Sequence, residues 1–124
     1  MLKNLFLALA ALLLCAPAAN AAPLYSVTAL PPNTIAYGIN NAGQVTGAVA
    51  SGDESQAFRW AAGVLTPLGT LGGPSTGLAI SSNGVVAGYS ITDGEPQAFL
   101  HDGIGLVPLG TLGGAGSTAH GVNA

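Results

Sequence analysis

The heptapeptide Pro67-Leu68-Gly69-Thr70-Leu71-Gly72-Gly73 occurs a second time, residue for residue, from Pro108 to Gly114. The same constant offset relates a longer stretch, because residues 39–73 align without a gap on residues 80–114. Sixteen of the 35 aligned positions are identical, and a Gln-Ala-Phe block is among them. Because two separate blocks recur at one spacing, the sequence indicates an internal repeat rather than drift in a Gly- and Ala-rich chain.

Each copy is predicted to form four short strands, because β-prone or alternating residues are separated by turn-forming residues. In the first copy the strands are expected at 34–39, 44–50, 56–60 and 64–68. In the second copy they are expected at 77–80, 85–91, 96–101 and 106–109. The sequence predicts a polar loop over 51–55 and a Gly- and Pro-containing connection over 70–76 between the copies.

The predicted fold is therefore all-β, built from tandem four-stranded units of about 41 residues. A unit of this size matches a β-propeller blade, and a β-solenoid-like stack is the alternative. Two complete units leave faces and strand edges uncovered, because repeat arrays usually need at least three units. We therefore expect an incomplete, blade-like array, with self-association and further repeats that are missing from the chain both left open.

The repeat divides the chain into segments. They are a linker at 22–33, a first unit at 34–76, a second unit at 77–117 and the start of a truncated third unit at 118–124. The third copy is inferred from Ala-His-Gly-Val-Asn at 119–123, which follows the pattern of Ala-Tyr-Gly-Ile-Asn at 36–40. A chain that ends within a unit suggests a fragment, a truncated reading frame or a degenerate gene. A C-terminal strand that pairs with its neighbour is the alternative.

Residues 1–21 are predicted to be a secretory signal peptide. Lys3 supplies a positive charge, and the unbroken apolar run over 5–15 is about 16 Å long as a helix, too short to span a bilayer. Ala-Asn-Ala at 19–21 is a small-x-small cleavage pattern, so cleavage is expected between Ala21 and Ala22. The expected protein is extracellular or periplasmic and keeps no transmembrane anchor. An uncleaved anchor, a buried helix and a lipoprotein signal are the alternatives.

The composition excludes several functions. Two Lys and Arg against five Asp and Glu give a net charge of −3, so no basic patch is available to bind nucleic acid. Signal cleavage would remove Lys3 and the single cysteine, Cys15, which leaves Arg59 as the remaining Lys or Arg. Without a cysteine, disulfides, thiol catalysis and cysteine-ligated zinc are excluded for the cleaved chain.

Three blocks of the first copy carry a family resemblance. They are Gly-Ile-Asn-Asn-Ala-Gly-Gln-Val-Thr-Gly at 38–47, Gln-Ala-Phe-Arg-Trp at 56–60 and Leu-Gly-Thr-Leu-Gly-Gly at 68–73. Together with the second copy, they resemble the HAF repeat of predicted bacterial extracellular proteins, over roughly residues 34–124. The resemblance implies an exported repeat protein of largely unknown activity. The chain departs from the family where Gln56 and Gln97 replace the histidine that names it.

Few residues could carry chemistry. Weak calcium candidates fall in equivalent loops, because calcium prefers several carboxylate oxygens; they are Asp53, Glu54, Asp93 and Glu95. Solvated turns are the other interpretation of these acids. No catalytic residue, cofactor site or other metal site is predicted, since the chain has neither a Gly-x-Ser-x-Gly elbow nor a phosphate-binding loop with its lysine.

The sequence therefore favours an exported, non-enzymatic β-repeat protein with a structural or interaction role and an unknown partner. The alternatives are a fragment of a larger propeller protein, such as a hydrolase, and a nonfunctional truncated remnant.

Overall fold

The computed structural model describes residues 24–124, and every regular element among them is a β-strand. The eight strands are β1 (Thr34–Ile39), β2 (Val45–Ser51), β3 (Glu54–Ala61), β4 (Val64–Gly69), β5 (Ser75–Ile80), β6 (Val86–Thr92), β7 (Glu95–His101) and β8 (Leu106–Pro108). The all-β prediction is confirmed. The signal peptide predicted at 1–21 lies outside the described residues, as do the first two residues of the predicted linker.

The strands form two four-stranded antiparallel sheets that do not close into a barrel. Sheet 1 has the order β1-β2-β3-β4, and sheet 2 has the order β5-β6-β7-β8. Each strand therefore pairs with its neighbour in the chain, which short turns permit in antiparallel sheets. The pairing of Val45 with Trp60 in sheet 1 has its counterpart, at the equivalent positions of the second copy, in the pairing of Val86 with His101 in sheet 2.

Two of the two-residue hairpin turns have positive φ at both residues. Ala62 and Gly63 join β3 to β4 with φ values of 49° and 85°, and Asp93 and Gly94 join β6 to β7 with φ values of 52° and 84°. Positive φ at both central residues is what a type I′ turn requires, and such turns match the twist of the flanking strands. The strand registers are thus set locally by turn chemistry.

The loops predicted at 51–55 and 70–76 are shorter than expected. Ser51 pairs with Glu54, so only two residues remain in the β2–β3 turn. β5 already begins at Ser75, inside the predicted connection. Both differences arise because continued strand pairing satisfies the hydrogen bonds of backbone groups. The polar character of these residues does not indicate how far this pairing extends.

The first strand of each sheet carries a bulge. The register shifts between Ala36 and Gly38 in β1 and at the equivalent place in β5. Opposite the first bulge, a Cβ added to Gly47 would lie 1.9 Å from the Ile35 carbonyl oxygen. A Cβ added to Gly88 would lie at the same distance from the Thr76 carbonyl oxygen. Glycine is therefore required where the bulged strand approaches its neighbour closely.

The hydrophobic core lies between the two sheets, where β5 packs across β1, β2 and β3. Sheet 1 contributes Ala57 and Leu68, and sheet 2 contributes Ile80, Val86 and Phe99. Leu71 and Leu106 pack against this cluster. Burial of each large side chain stabilises the fold by roughly 1.5–3 kcal/mol, so the contact between the sheets is a main source of stability.

Candidate functional site

A serine hydroxyl joins sheet 2 to sheet 1. Ser75 is completely buried, and its Oγ accepts a hydrogen bond of 2.8 Å from the backbone amide of Ala57. The same hydroxyl donates a 2.7 Å hydrogen bond to the carbonyl of Gly69. The β3–β4 register is irregular next to Ala57, and the serine satisfies backbone groups at this irregularity.

Ser117 makes the equivalent contact on sheet 2. Its Oγ accepts a 2.9 Å hydrogen bond from the Ala98 amide and donates a 2.6 Å bond to the carbonyl of Gly110. The backbone amide of Ser117 also donates to Pro96, at 2.7 Å. Residues 115–119 therefore lie on sheet 2 as the start of β5 lies on sheet 1. They belong to no strand, and neither do residues 120–124.

The connection between the sheets is fixed by Ser90. This buried hydroxyl accepts a 2.9 Å hydrogen bond from the Leu71 amide and donates a 3.2 Å bond to the carbonyl of Gly73. The Ile91 amide donates to the carbonyl of Pro74 at 2.8 Å. Because four backbone groups along residues 71–74 and 91 are satisfied here, the two sheets are held by a tethered segment rather than a free linker.

A second polar contact connects the turns at one end of the sheets. Asn40 Oδ1 accepts the amides of Ala42 and Gln44, which shapes the β1–β2 turn. The Asn40 amide nitrogen donates to Gln44 Oε1 and to the carbonyl of Ser81, each at 2.8 Å. Asn40 thus both shapes its own turn and reaches the corresponding turn of sheet 2.

His101 is buried at the end of β7. Its Nδ1 accepts a 3.1 Å hydrogen bond from the Gly103 amide. Burial lowers the pKa of His101 below its ordinary value, and the positive charge of Arg59 lowers it further. Arg59 itself donates through Nη1 to the Gly84 carbonyl at 3.3 Å. His101 therefore acts as a structural acceptor at the entry to the β7–β8 turn, whereas His120 is exposed.

The candidate calcium residues lie at two hairpin turns. Asp53 and Asp93 occupy the turns, and Glu54 and Glu95 open the strands that follow; all four are exposed. Within residues 24–124, no group of three or more His, Cys, Asp or Glu side chains could hold a metal ion. Calcium binding at either turn stays a prediction, with two carboxylates available at each.

An apolar groove is lined by residues of β1, β2 and β3 of sheet 1 and by residues of the segment that precedes β1. Its volume is about 790 Å³, and its walls include Leu30, Tyr37, Ile39, Val45 and Trp60. Tyr37 and Ile39 are 54% and 70% exposed. Exposed apolar surface that is contiguous in this way is typical of interaction sites. It is the leading candidate site in the described part of the chain.

These features define an all-β protein of two packed antiparallel sheets, with polar side chains that join the sheets and an open apolar groove. No family model, curated protein or solved structure matches the chain. Among residues 24–124, no helix is long and apolar enough to cross a membrane.

Sequence reasoning missed the serines that join the sheets. A signal was present, because Ser-Thr at 75–76 recurs as Ser-Thr at 117–118, each time after a Gly-rich connection. The prediction placed Ser75 in the connection over 70–76, since serine is common in turns, and gave Ser117, at the end of the second unit, no role. Their partners are backbone groups that become available only in the folded sheets.

Proposed function

We propose that the chain is an exported, non-enzymatic repeat protein with blade-like units and a structural or interaction role, similar to HAF repeat proteins. The observation that carries the proposal is the contact made by Ser75 on sheet 1 and again by Ser117 on sheet 2. In repeat architectures, each unit contacts the next through the same kind of interface. In the sequence, the two copies recur at a constant offset of 41 residues, and Ser-Thr at 75–76 recurs at 117–118 after one inserted residue.

The polar groups of the described residues support a scaffold role. The buried hydroxyls of Thr46, Ser75 and Ser90 are used in hydrogen bonds to backbone groups. The carboxylates are exposed, in hairpin turns or at the first residue of the strand that follows. Catalysis needs acids, bases or nucleophiles that converge on one reacting atom. The open apolar groove instead favours recognition of another surface.

Export is tested by expression of the full chain in a bacterium, followed by cell fractionation and intact-mass measurement. We expect the protein in the periplasm or medium with Ala22 at its N terminus. Replacement Ala21→Trp should block cleavage, because the residue before the cut must be small. The matched variant Asn20→Trp changes the unconstrained middle position and should still be cleaved. A cytoplasmic protein that retains Met1 would contradict export.

The repeat architecture is tested by native-state hydrogen exchange. We expect slow exchange at the Ala57 amide, which is completely buried beneath β5 and bonded to Ser75. The Ala98 amide should also be protected, because Ser117 covers it in the same way. Rapid exchange at Ala98 in a chain whose sheet 2 is otherwise protected would show that Ser117 does not make the contact that Ser75 makes on sheet 1. The basis of the proposal would then be lost.

A further inference from the structure

Sheet 1 carries the same apolar residues that sheet 2 uses to pack on sheet 1. Ile80, Val86, Phe99 and Leu106 of sheet 2 are repeated at the equivalent positions of the first copy as Ile39, Val45, Phe58 and Leu65. Their environments differ most at the first position, since Ile80 is 9% exposed and Ile39 is 70% exposed. Val45 and Phe58 are buried, at 8% and 0% exposed, so the open part of this half-interface among residues 24–124 is at Ile39.

Sheet 2 carries the complementary half. Ala57 and Leu68 of sheet 1 receive sheet 2, and their counterparts in the second copy are Ala98 and Leu109. Leu109 is 49% exposed, against 7% for Leu68, whereas Ala98 is 4% exposed and bonded to Ser117. The two half-interfaces are thus on different sheets of one chain, and each matches a surface that is already packed in the contact between sheets.

We propose that copies of this chain associate head to tail. Sheet 1 of one copy packs on sheet 2 of the next copy, in the same way that sheet 2 packs on sheet 1 within the chain. The partner is a second copy, and the inference rests on the repeat equivalence proposed above. The residues named in both half-interfaces are uncharged, so their burial desolvates no ion. Because the two surfaces differ, the interface is heterologous, and association continues beyond a dimer unless the rotation closes a ring.

The C-terminal residues compete with the incoming copy. Residues 115–119 lie against sheet 2 at the position where the start of β5 lies against sheet 1. In the proposed contact, β1 of a second copy occupies this same position on sheet 2. They are held by the two hydrogen bonds of the Ser117 hydroxyl, by the Ser117 amide and by a 3.3 Å bond from the Ala119 amide to Gly88. The affinity between copies therefore depends on how firmly Ser117 is bound.

The oligomeric state of the purified chain tests the inference, with the N terminus determined by mass spectrometry. In sedimentation equilibrium, the average mass should rise with concentration. Ile39→Glu places a charge in the interface and should abolish association. The matched control Ile104→Glu alters a residue that is 94% exposed in the β7–β8 turn and should associate normally. Ser117→Ala should lower the dissociation constant about tenfold, because it weakens the competing segment. Circular dichroism checks that each variant is folded, and Tyr37→Lys serves as a second interface variant.

The direction of the contact is tested by disulfide cross-linking. In chains that carry Cys15→Ser, one preparation receives Ile39→Cys and another receives Leu109→Cys. Head-to-tail packing brings these positions together, as Ile80 and Leu68 are together in the core. The mixture should therefore give a disulfide-linked heterodimer, and each preparation alone should give little product.

Three results would overturn the inference. They are a monomer at all concentrations for both the wild type and Ser117→Ala, an association that Ile39→Glu leaves intact, and cross-linking of Ile39→Cys with itself, which indicates a symmetric face-to-face dimer. A monomer that is exported and cut before Ala22 would leave the proposed function standing. A cytoplasmic chain that associates head to tail would contradict export and leave the proposed association standing.

Discussion

Gly77 of β5 lies directly over Thr46 of β2, with no room for a side chain between them. A Cβ added to Gly77 would lie 2.2 Å from Thr46 Oγ1 and 2.9 Å from Val86 Cγ1. Thr46 is completely buried and donates through Oγ1 to the carbonyl of Phe58 at 2.7 Å. The two sheets therefore meet through a glycine on one side and a fixed hydroxyl on the other.

Gly77→Ala should lower the free energy of unfolding by about 1–3 kcal/mol, because the added methyl group overpacks the interface. Urea denaturation measures the change. In the Thr46→Ala background, the same substitution should cost less, since the nearest clashing atom is absent. Additive losses in the double variant would show that Thr46 is not the obstacle. At the equivalent positions of the second copy and the C-terminal segment, alanine stands at both places, with Ala87 at the position of Thr46 and Ala119 at that of Gly77.

Ser75→Ala should destabilise the protein by about 1–3 kcal/mol, because it leaves the buried Ala57 amide and the Gly69 carbonyl without their partner. The midpoint of urea unfolding should fall while its slope stays constant. Ser117→Ala is the matched control. Its loss should be smaller, since Ser117 and Gly110 are accessible to water, which can replace the bonds. Equal losses for the two variants would contradict the different burial of the two sites.

Acidification should destabilise the protein through His101. Its pKa is lowered in the folded state by burial and by Arg59. Below about pH 6.5 the unfolded chain therefore binds a proton more readily than the folded chain. The free energy of unfolding should be constant above this pH and fall as the pH decreases below it. His101→Gln should flatten the profile over that window. His120→Gln, at an exposed position, should keep the wild-type slope, and a flat wild-type profile would contradict the prediction.

Ala62→Gly should stabilise the protein by about 0.5–1 kcal/mol. Ala62 has a φ of 49°, a conformation that costs an L residue roughly 1–2 kcal/mol and that glycine adopts without this cost. Glycine also makes the unfolded chain more flexible, which offsets only part of the gain. Sheet 2 has Gly103 at the corresponding position, with a φ of 101°. The control Ala42→Gly changes a turn residue without positive φ and should be slightly destabilising. Thermal unfolding compares the two variants, and a lower midpoint for Ala62→Gly would refute the strain argument.

Much of each sheet could be predicted from sequence. The first strand has the predicted bounds, Thr34–Ile39, because its β-prone residues end at a clear Asn-Asn-Ala-Gly turn. Strand order also follows, since short turns require each strand to pair with its neighbour. The predicted extent of the polar loop, 51–55, was wrong, because Ser51 and Glu54 pair in the hairpin. Local composition identifies a turn but does not determine how far the ladder continues into it.

The candidate site was less predictable than the strands. Ser75 acts on the Ala57 amide beside an irregular β3–β4 register, and no sequence pattern marks that irregularity. The groove on sheet 1 arises because Ile39 has no partner layer among the described residues, although its counterpart Ile80 is buried. Identical residues thus have different environments, which depend on neighbours and not on the repeat itself.

The meander of each sheet has a consequence for the order in which the chain folds. The widest strand pairs, such as Thr34 with Val49 and Ser75 with Ser90, join residues only about fifteen positions apart. Short loops close at low entropic cost, so folding is faster than in sheets with distant pairings. A chain that leaves the ribosome N terminus first can complete sheet 1 while the second heptapeptide is still being synthesised. Sheet 1 then serves as the template on which β5 docks, and growth of the structure follows the direction of translation.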